Sequence, residues 1–304
     1  MNECYYCSNT DCIPSVFQRK VKFDETLFSY YRCIKCNSFS LYPKLNDRQL
    51  ERLYSLEYIS FLTTDNLVDE KISEDQESAK FLDLDNYLRR EGVHQGYFLD
   101  YGCGYLPKTF ELVSALGLTP IGMEFSSDIR ADVNEKTGVK VLSKEDTFEF
   151  SEEFKYIFLG DVIEHLIEPI SDLSILCSKL TKDGCIIAQG PLQSAATLTH
   201  AAIKLSAIFR KNNPSAYPPY HVSLASRKSM IRLMEISGFQ IIHFRCTETT
   251  WPAPNFRIFL SSPNLRNFTL GSLKFLDKCV AKVLPFYGSR YFLVAKKIDP
   301  GKAH

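Results

Sequence analysis

Four cysteines in the first 36 residues constrain this chain more than any other feature. Cys4 and Cys7 form one Cys-x2-Cys pair, Cys33 and Cys36 another, and 25 residues separate the pairs. Each pair can sit on a tight knuckle that offers two thiolates to one ion, and two knuckles complete a tetrahedral zinc site. The rest of residues 1–45 reads as small β-hairpins, from alternating runs such as Val16-Phe17-Gln18-Arg19 and Phe28-Ser29-Tyr30-Tyr31. So short a module cannot build a sufficient core, so bound metal would provide most of its stability. Four sulfurs fill the coordination sphere, which makes the expected zinc structural rather than catalytic. Cys12 is a surplus thiol available as a substitute ligand. Cys103, Cys177, Cys185 and Cys246 lie in apolar surroundings and read as small buried side chains.

Ten cysteines in a secreted chain would suggest disulfides, but the opening MNECYYCSNTDC has no basic segment followed by an apolar one. No run approaches the roughly 18 apolar residues that span a bilayer. The expectation is a cytoplasmic protein whose paired cysteines hold metal. A net charge of zero conceals an asymmetry: residues 1–200 carry 20 Lys/Arg against 32 Asp/Glu, and residues 201–304 carry 16 against 4. The basic last third can attract phosphates, nucleotides, acidic lipids or RNA, or it can neutralise the acidic front; both readings stay open.

Residues 46–95 read as a helical connector. Asp47 can cap a helix carrying Leu50, Leu53 and Tyr54, and Ser78 can begin a second around Phe81, Leu84 and Leu88, with an exposed acidic stretch at 63–77 between them. From residue 97 strands and helices alternate. Strands are expected at Tyr97–Tyr101, Thr119–Glu124, Val139–Leu142, Lys155–Leu159 and Gly184–Gly190, and helices at Lys108–Leu116, Ser127–Lys136 and Ile170–Leu180. That rhythm implies a doubly wound, mostly parallel sheet in an α/β domain over 96–304. It breaks at 192–220, where an apolar run, Ala195–Phe209, leads into a Pro/Tyr-rich loop that reads as a lid or insert. A helix Ser226–Ser237 stopped by Gly238, a strand Phe239–Cys246, a helix Leu270–Val283 and a strand Arg290–Lys296 complete the pattern.

A ligand site is written into the first strand. Phe98-Leu99-Asp100-Tyr101-Gly102-Cys103-Gly104 ends a strand in two glycines that let the backbone turn sharply beside a ligand. A second strand ends at Glu124, 22 positions after Gly102, where an acid can meet both hydroxyls of a ribose. The third glycine of a dinucleotide fingerprint is absent: Leu106 and Pro107 follow instead. An adenosine bearing an amino-acid tail needs that glycine less than a pyrophosphate does.

In these features the sequence resembles class I S-adenosylmethionine-dependent methyltransferases. The resemblance extends to Gly160-Asp161-Val162-Ile163-Glu164-His165-Leu166, to Lys182-Asp183-Gly184 entering the fifth strand and to Pro219-Tyr220-His221, and it covers about residues 95–245. It implies a Rossmann-like, seven-stranded sheet with an antiparallel last strand and S-adenosylmethionine as cofactor. Gly102, Cys103 and Gly104 would line the methionine portion, with Asp100 near its amino group and Glu124 on the ribose. Asp161 would flank the carboxypropyl arm, and Asp146 or Glu145 would reach the adenine amino group. Lys155 departs from the acid frequent at the start of the fourth strand. The front, with its two Cys-x2-Cys pairs, is similar to methyltransferases of surface-polysaccharide or other small-molecule biosynthesis. That similarity implies a hydroxyl of a sugar or sugar-nucleotide as acceptor.

Methyl transfer to a hydroxyl calls for a proton acceptor, and histidine has a suitable pKa. His165, at the carboxyl edge of the sheet, and His221, after the Pro/Tyr-rich loop, are the candidates; capping and loop roles are their structural alternatives. Tyr217 and Tyr220 could line an acceptor pocket, and His94, His200 and His243 have no comparable placement. Two other functions stay open: an RNA base methyltransferase using the basic last third for phosphate contacts, and a non-catalytic scaffold with a degenerate cofactor site.

Overall fold

The computed structural model describes residues 2–16, 18, 20–54, 70–92, 95–105, 107–193, 197–208, 214–215, 218–248 and 265–298. Leu106, Tyr217, His94, Phe17, Arg19 and residues 63–69 lie outside the described residues, as do parts of the expected insert at 192–220.

The chain opens with strands β1 (Cys12–Pro14), β2 (Val21–Phe23), β3 (Thr26–Cys33) and β4 (Phe39–Tyr42), followed by helices α1 (Asp47–Leu53) and α2 (Glu70–Glu91). Then come β5 (Tyr97–Tyr101), α3 (Lys108–Ala115), β6 (Thr119–Met123), α4 (Ser127–Thr137), β7 (Val141–Leu142), α5 (Lys144–Glu149) and β8 (Phe154–Gly160). A 3-10 turn at Ile163–His165 leads to α6 (Pro169–Ser178), β9 (Leu180–Pro191), α7 (Leu198–Ile208) and β10 (Ser223–Leu224). The last elements are α8 (Arg227–Ile236), β11 (Phe239–Thr247), α9 (Leu265–Val283) and β12 (Arg290–Lys297).

Seven strands form one mostly parallel sheet in the order β7-β6-β5-β8-β9-β12-β11, the last antiparallel. The α/β alternation and the expected fold class are both met. Parallel pairing aligns Leu99 with Ile121 of β6 and with Ile157 of β8. Strands covered on both faces should be apolar on both, and Phe98, Leu99, Ile157, Phe158 and Leu159 are all buried.

By internal contacts the chain divides into two compact units. One comprises 45–162, 174–188 and 295–304; the other comprises 1–44, 163–173 and 189–294. In the first, α4 starts at the Ser126 side chain, which accepts from Ile129 N–H, and stops at Gly138 in the left-handed conformation. Lys155, the departure at the fourth strand, pairs with Asp183 and holds that carboxyl below its ordinary pKa.

In the second unit the expected β module is present, and it is part of a larger sheet. β1, β3, β4 and β10 lie in the order β1-β3-β4-β10, with β2 on β3. β10 pairs antiparallel with β4, setting Ser223 against Ser40 and Leu224 against Phe39.

Several boundaries differ from the sequence expectation. α1 is capped by Asn46, not Asp47: the Asn46 side chain and Gln49 form a reciprocal capping box, and Asp47 enters the first turn. α2 begins at Glu70, eight positions before Ser78, so part of the acidic stretch is helical. β7 has two residues rather than four. α9 starts at Leu265, and β9 starts at Leu180, where a helix end was expected.

Candidate active site and metal centre

The four cysteines converge. All four are buried, and their Sγ atoms lie within 4.8 Å of one another. Cys4 and Cys36 are 3.5 Å apart and Cys7 and Cys33 are 3.7 Å apart. A tetrahedral ion with Zn–S bonds of about 2.3 Å sets its sulfurs roughly 3.8 Å apart, so the group fits zinc. The two knuckles have the same construction. Ser8 N–H donates to the Cys4 carbonyl at 2.9 Å and Asn37 N–H to the Cys33 carbonyl at 3.0 Å. Ser8 and Asn37, each following a second cysteine, take positive φ of 53° and 61°. That conformation turns the chain back under the ion. Cys12 lies outside the group and donates its thiol to the Asn9 carbonyl.

Within the other unit, Gly102 and Gly104 follow β5 with φ of 83° and 68°. Gly102 and Cys103 N–H both donate to the Met123 carbonyl, folding the loop onto the end of β6. A side chain at Gly102 would meet Val162 at 2.6 Å, whereas one at Gly104 would meet nothing within 4 Å among the described residues. The backbone at Gly104 is therefore clear of the described residues, as a loop that cradles a ligand must be. Glu124 is buried, and its two oxygens accept from Gly104 N–H and Ser126 N–H, each at 3.1 Å. A carboxylate has about four acceptor positions, so two backbone bonds fix the side chain and leave capacity for ribose hydroxyls. Burial raises the Glu124 pKa, and the backbone bonds oppose that rise.

Asp100 is buried and accepts from the Thr109 hydroxyl. Cys103 packs its side chain against the apolar cluster of Phe110, Ile129, Val133 and Val141, which leaves its backbone as the part able to line a ligand. Burial, reinforced by Asp100 and Glu124, pushes its thiol pKa far up. Asp161 follows β8 with φ of 59°, a strained conformation that aspartate tolerates and that concentrates at functional sites. Asp146 lies in the first turn of α5, which Ser143 caps: Ser143 Oγ accepts from Asp146 N–H at 3.0 Å and donates to its carboxylate at 2.7 Å.

In the unit that holds the cysteines, His165 and His221 meet edge to face with ring centroids 5.0 Å apart. His165 Nδ1 is 2.7 Å from the Tyr220 carbonyl oxygen. A carbonyl only accepts, so Nδ1 carries the proton and Nε2 is the basic nitrogen. His221 is held by Gln193, whose amide lies 2.5 Å from Nδ1, and its carbonyl accepts from the Tyr30 hydroxyl at 2.6 Å. Buried Glu164 completes the group. One donor atom from each of Glu164, His165 and His221 lies within 4.8 Å of the others. Both histidines are candidates from the sequence, where Glu164 stands only as part of the segment shared with class I methyltransferases. A side chain at Gly190 would meet the Tyr291 ring and hydroxyl at 3.2 Å and the Glu164 carboxylate at 3.3 Å, a proximity that only the fold creates.

A seven-stranded Rossmann-like sheet with a glycine turn after its first strand and an acid ending its second defines a class I methyltransferase fold. A family model described as a methyltransferase domain matches residues 72–244, more than half of the chain, and the chain belongs to that family. It is an S-adenosylmethionine-dependent methyltransferase with an N-terminal cluster of four cysteines whose geometry fits zinc. Among solved structures it resembles magnesium protoporphyrin IX methyltransferase from Synechocystis PCC 6803, solved with bound S-adenosylhomocysteine. The identity is 15%, the TM-score is 0.54, and 83% of this chain and all of that one are covered. A methyltransferase from Archaeoglobus fulgidus aligns at 17% identity and a TM-score of 0.43, over 70% of this chain and 93% of the other. No curated protein shows significant sequence similarity. Among the described residues, no helix is long and apolar enough to cross a membrane.

Proposed function

We propose that this enzyme methylates a hydroxyl of a small molecule, a sugar or sugar-nucleotide, at an acceptor site formed by Glu164, His165 and His221. Bound S-adenosylmethionine supplies an electrophilic methyl group on a sulfonium. Asp100, Gly102, Gly104, Glu124 and Asp161 are the residues that hold it, with Cys103 contributing backbone. Asp146 contributes at the adenine end only if its carboxylate serves a ligand as well as the Ser143 cap.

The observation that carries the acceptor assignment is the His165–Tyr220 hydrogen bond. It fixes the tautomer, aims a basic Nε2 away from the backbone and sets it beside a second imidazole. A hydroxyl must lose its proton as the methyl arrives, so an oxygen acceptor needs this equipment more than an amine does. The sugar class rests on the family resemblance of the front segment. The excess of Lys/Arg in residues 201–304, 16 against 4 acids, suits an anionic acceptor such as a sugar-nucleotide.

Calorimetric titration with S-adenosylmethionine and S-adenosylhomocysteine tests cofactor binding, with Glu124→Ala as control, and a panel of sugar-nucleotides tests transfer. His165→Ala and His221→Ala are expected to lower kcat by about 10²–10⁴-fold while cofactor affinity stays within about threefold. Full turnover in both variants would remove the histidines from the reaction.

A further inference from the structure

We propose that Glu164, His165 and His221 bind a divalent transition-metal ion, a second metal site distinct in chemistry from the four-cysteine cluster. The inference rests on the reading of these residues as the acceptor site and says how that site grips an oxygen.

Two imidazoles and one carboxylate, each offering a donor atom within 4.8 Å of the others, are a nitrogen–oxygen set suited to zinc, manganese or iron. Three protein ligands leave positions open, which distinguishes this group from the closed, all-sulfur cluster. The surroundings are those of metal-binding histidines, whose second ring nitrogen characteristically donates to a carbonyl or carboxylate. His165 does this through Nδ1 to the Tyr220 carbonyl. His221 has the Gln193 amide at Nδ1, and Gln193 Oε1 is buried with no hydrogen-bond partner among the described residues. Turning that amide by half a rotation places Oε1 on His221 Nδ1–H, moves the amide nitrogen to the other position and gives His221 a basic Nε2 as well. Both rings then present Nε2 as the ligand atom.

Glu164 fits the same account. It is 3% exposed, and a cation beside a carboxylate so deeply buried would offset the cost of holding it ionised. Gly190 leaves room for it, because a side chain there would come within 3.3 Å of Glu164 Oε2. With an ion in place, an acceptor carrying two neighbouring oxygens, such as a vicinal diol, can fill adjacent open positions. The cation would then lower the pKa of the hydroxyl, whose proton passes to solvent water, while both imidazoles serve as ligands instead of as bases.

Manganese titration tests the site. The zinc-loaded protein is cleared of loosely held metal with a weak chelator, its zinc is counted by elemental analysis, and Mn2+ is added while the paramagnetic resonance of the free aquo ion is followed. Wild-type protein is expected to keep about one zinc and to bind about one further Mn2+ per chain, displaceable by Zn2+. His165→Ala, His221→Ala and Glu164→Gln should each weaken Mn2+ binding on the order of tenfold or more, with the retained zinc unchanged. S-adenosylhomocysteine binding by each variant reports that it is folded. Folded wild-type protein that takes up no metal beyond the retained zinc, or Mn2+ binding indifferent to all three substitutions, overturns the proposal. Methyl transfer that survives metal removal but disappears in His165→Ala would discard the ion and keep the acceptor site. Wild-type protein that binds Mn2+ but no S-adenosylmethionine would do the reverse.

Discussion

The Ser226 hydroxyl donates to the Cys36 carbonyl at 2.7 Å, joining residues 190 apart in sequence. The same oxygen accepts from Ser229 N–H at 3.0 Å and so caps α8. One side chain thus ties the second cysteine knuckle to the start of a helix. Further ties run from the Tyr6 hydroxyl to Ser223 at 2.8 Å, from the Tyr30 hydroxyl to the His221 carbonyl and from β4 to β10. The metal module shares a sheet and a compact unit with the segment that carries His221.

Loss of the ribbon metal is therefore expected to reach His221. Cys36→Ser should release zinc, lower the unfolding temperature by about 5 °C or more and abolish hydrogen-exchange protection in residues 222–225. Methyl transfer should fall with it. Unaltered exchange at 222–225 in zinc-free protein would show that β10 holds its place without the module.

Gly102 and Gly104 separate fold from ligand. Gly102→Ala adds a carbon 2.6 Å from Val162 in a left-handed conformation, and should destabilise the protein by a few kcal/mol. Gly104→Ala meets none of the described residues and bears the left-handed penalty of about 1–2 kcal/mol. Its larger effect should be on the cofactor, whose affinity is expected to drop on the order of tenfold. Denaturant unfolding beside calorimetry distinguishes them; equal cofactor affinity in Gly104→Ala and wild type would remove that loop from the binding site.

Glu124 gives cofactor binding a pH dependence. Its pKa is raised in the folded protein by burial, so it takes up a proton at a pH above the ordinary carboxylate value of about 4.3. The ionised form accepts from ribose hydroxyls best, so S-adenosylmethionine affinity should weaken as pH falls towards that range. The sign for stability is opposite: a raised folded pKa means that this group's contribution is fully present below the unfolded value and is lost as pH rises. Calorimetry across pH 5–8 checks the first effect. A flat affinity profile in wild type, matching that of Glu124→Gln, would exclude Glu124 as a ligand contact.

The features legible in the sequence are those set by short-range patterns. Cys-x2-Cys spacing, the Asp100–Gly104 turn and the acid ending β6 each depend on a few consecutive residues, and the parallel sheet follows from strands apolar along their whole length. What was missed depends on distance or on weak local signal. β10 is a two-residue strand whose partner lies about 180 positions earlier, so no period could announce it. The beginning of α2 is too polar to show an apolar stripe, which hid the turns before Ser78. Asn46 outcompetes Asp47 as a cap because Gln49 is correctly spaced to return the hydrogen bond. At the site both histidines were visible, but their orientation by Tyr220 and Gln193 and the inclusion of Glu164 come from tertiary contacts.

His200 should make stability itself depend on pH. It sits in the first turn of α7, where the Thr197 hydroxyl accepts from its N–H and contacts its Nδ1 at 2.9 Å. Asp277 caps the same turn, accepting from Leu198 and Thr199 N–H at 2.9 Å each. Burial first, and then Lys274 and Lys204, lower the His200 pKa from 6.5 to about 4 against the opposing pull of Asp277. The positive end of the helix also disfavours a charged ring. A depressed folded pKa means that the unfolded chain binds the extra proton first. The contribution is fully present above the unfolded value of about 6.5 and is lost as pH falls towards about 4. Urea unfolding at pH 7 and pH 5 should show wild type losing about 1–3 kcal/mol more than His200→Gln over that interval. Parallel losses in the two proteins would mean that His200 accepts its proton without disturbing the turn it occupies.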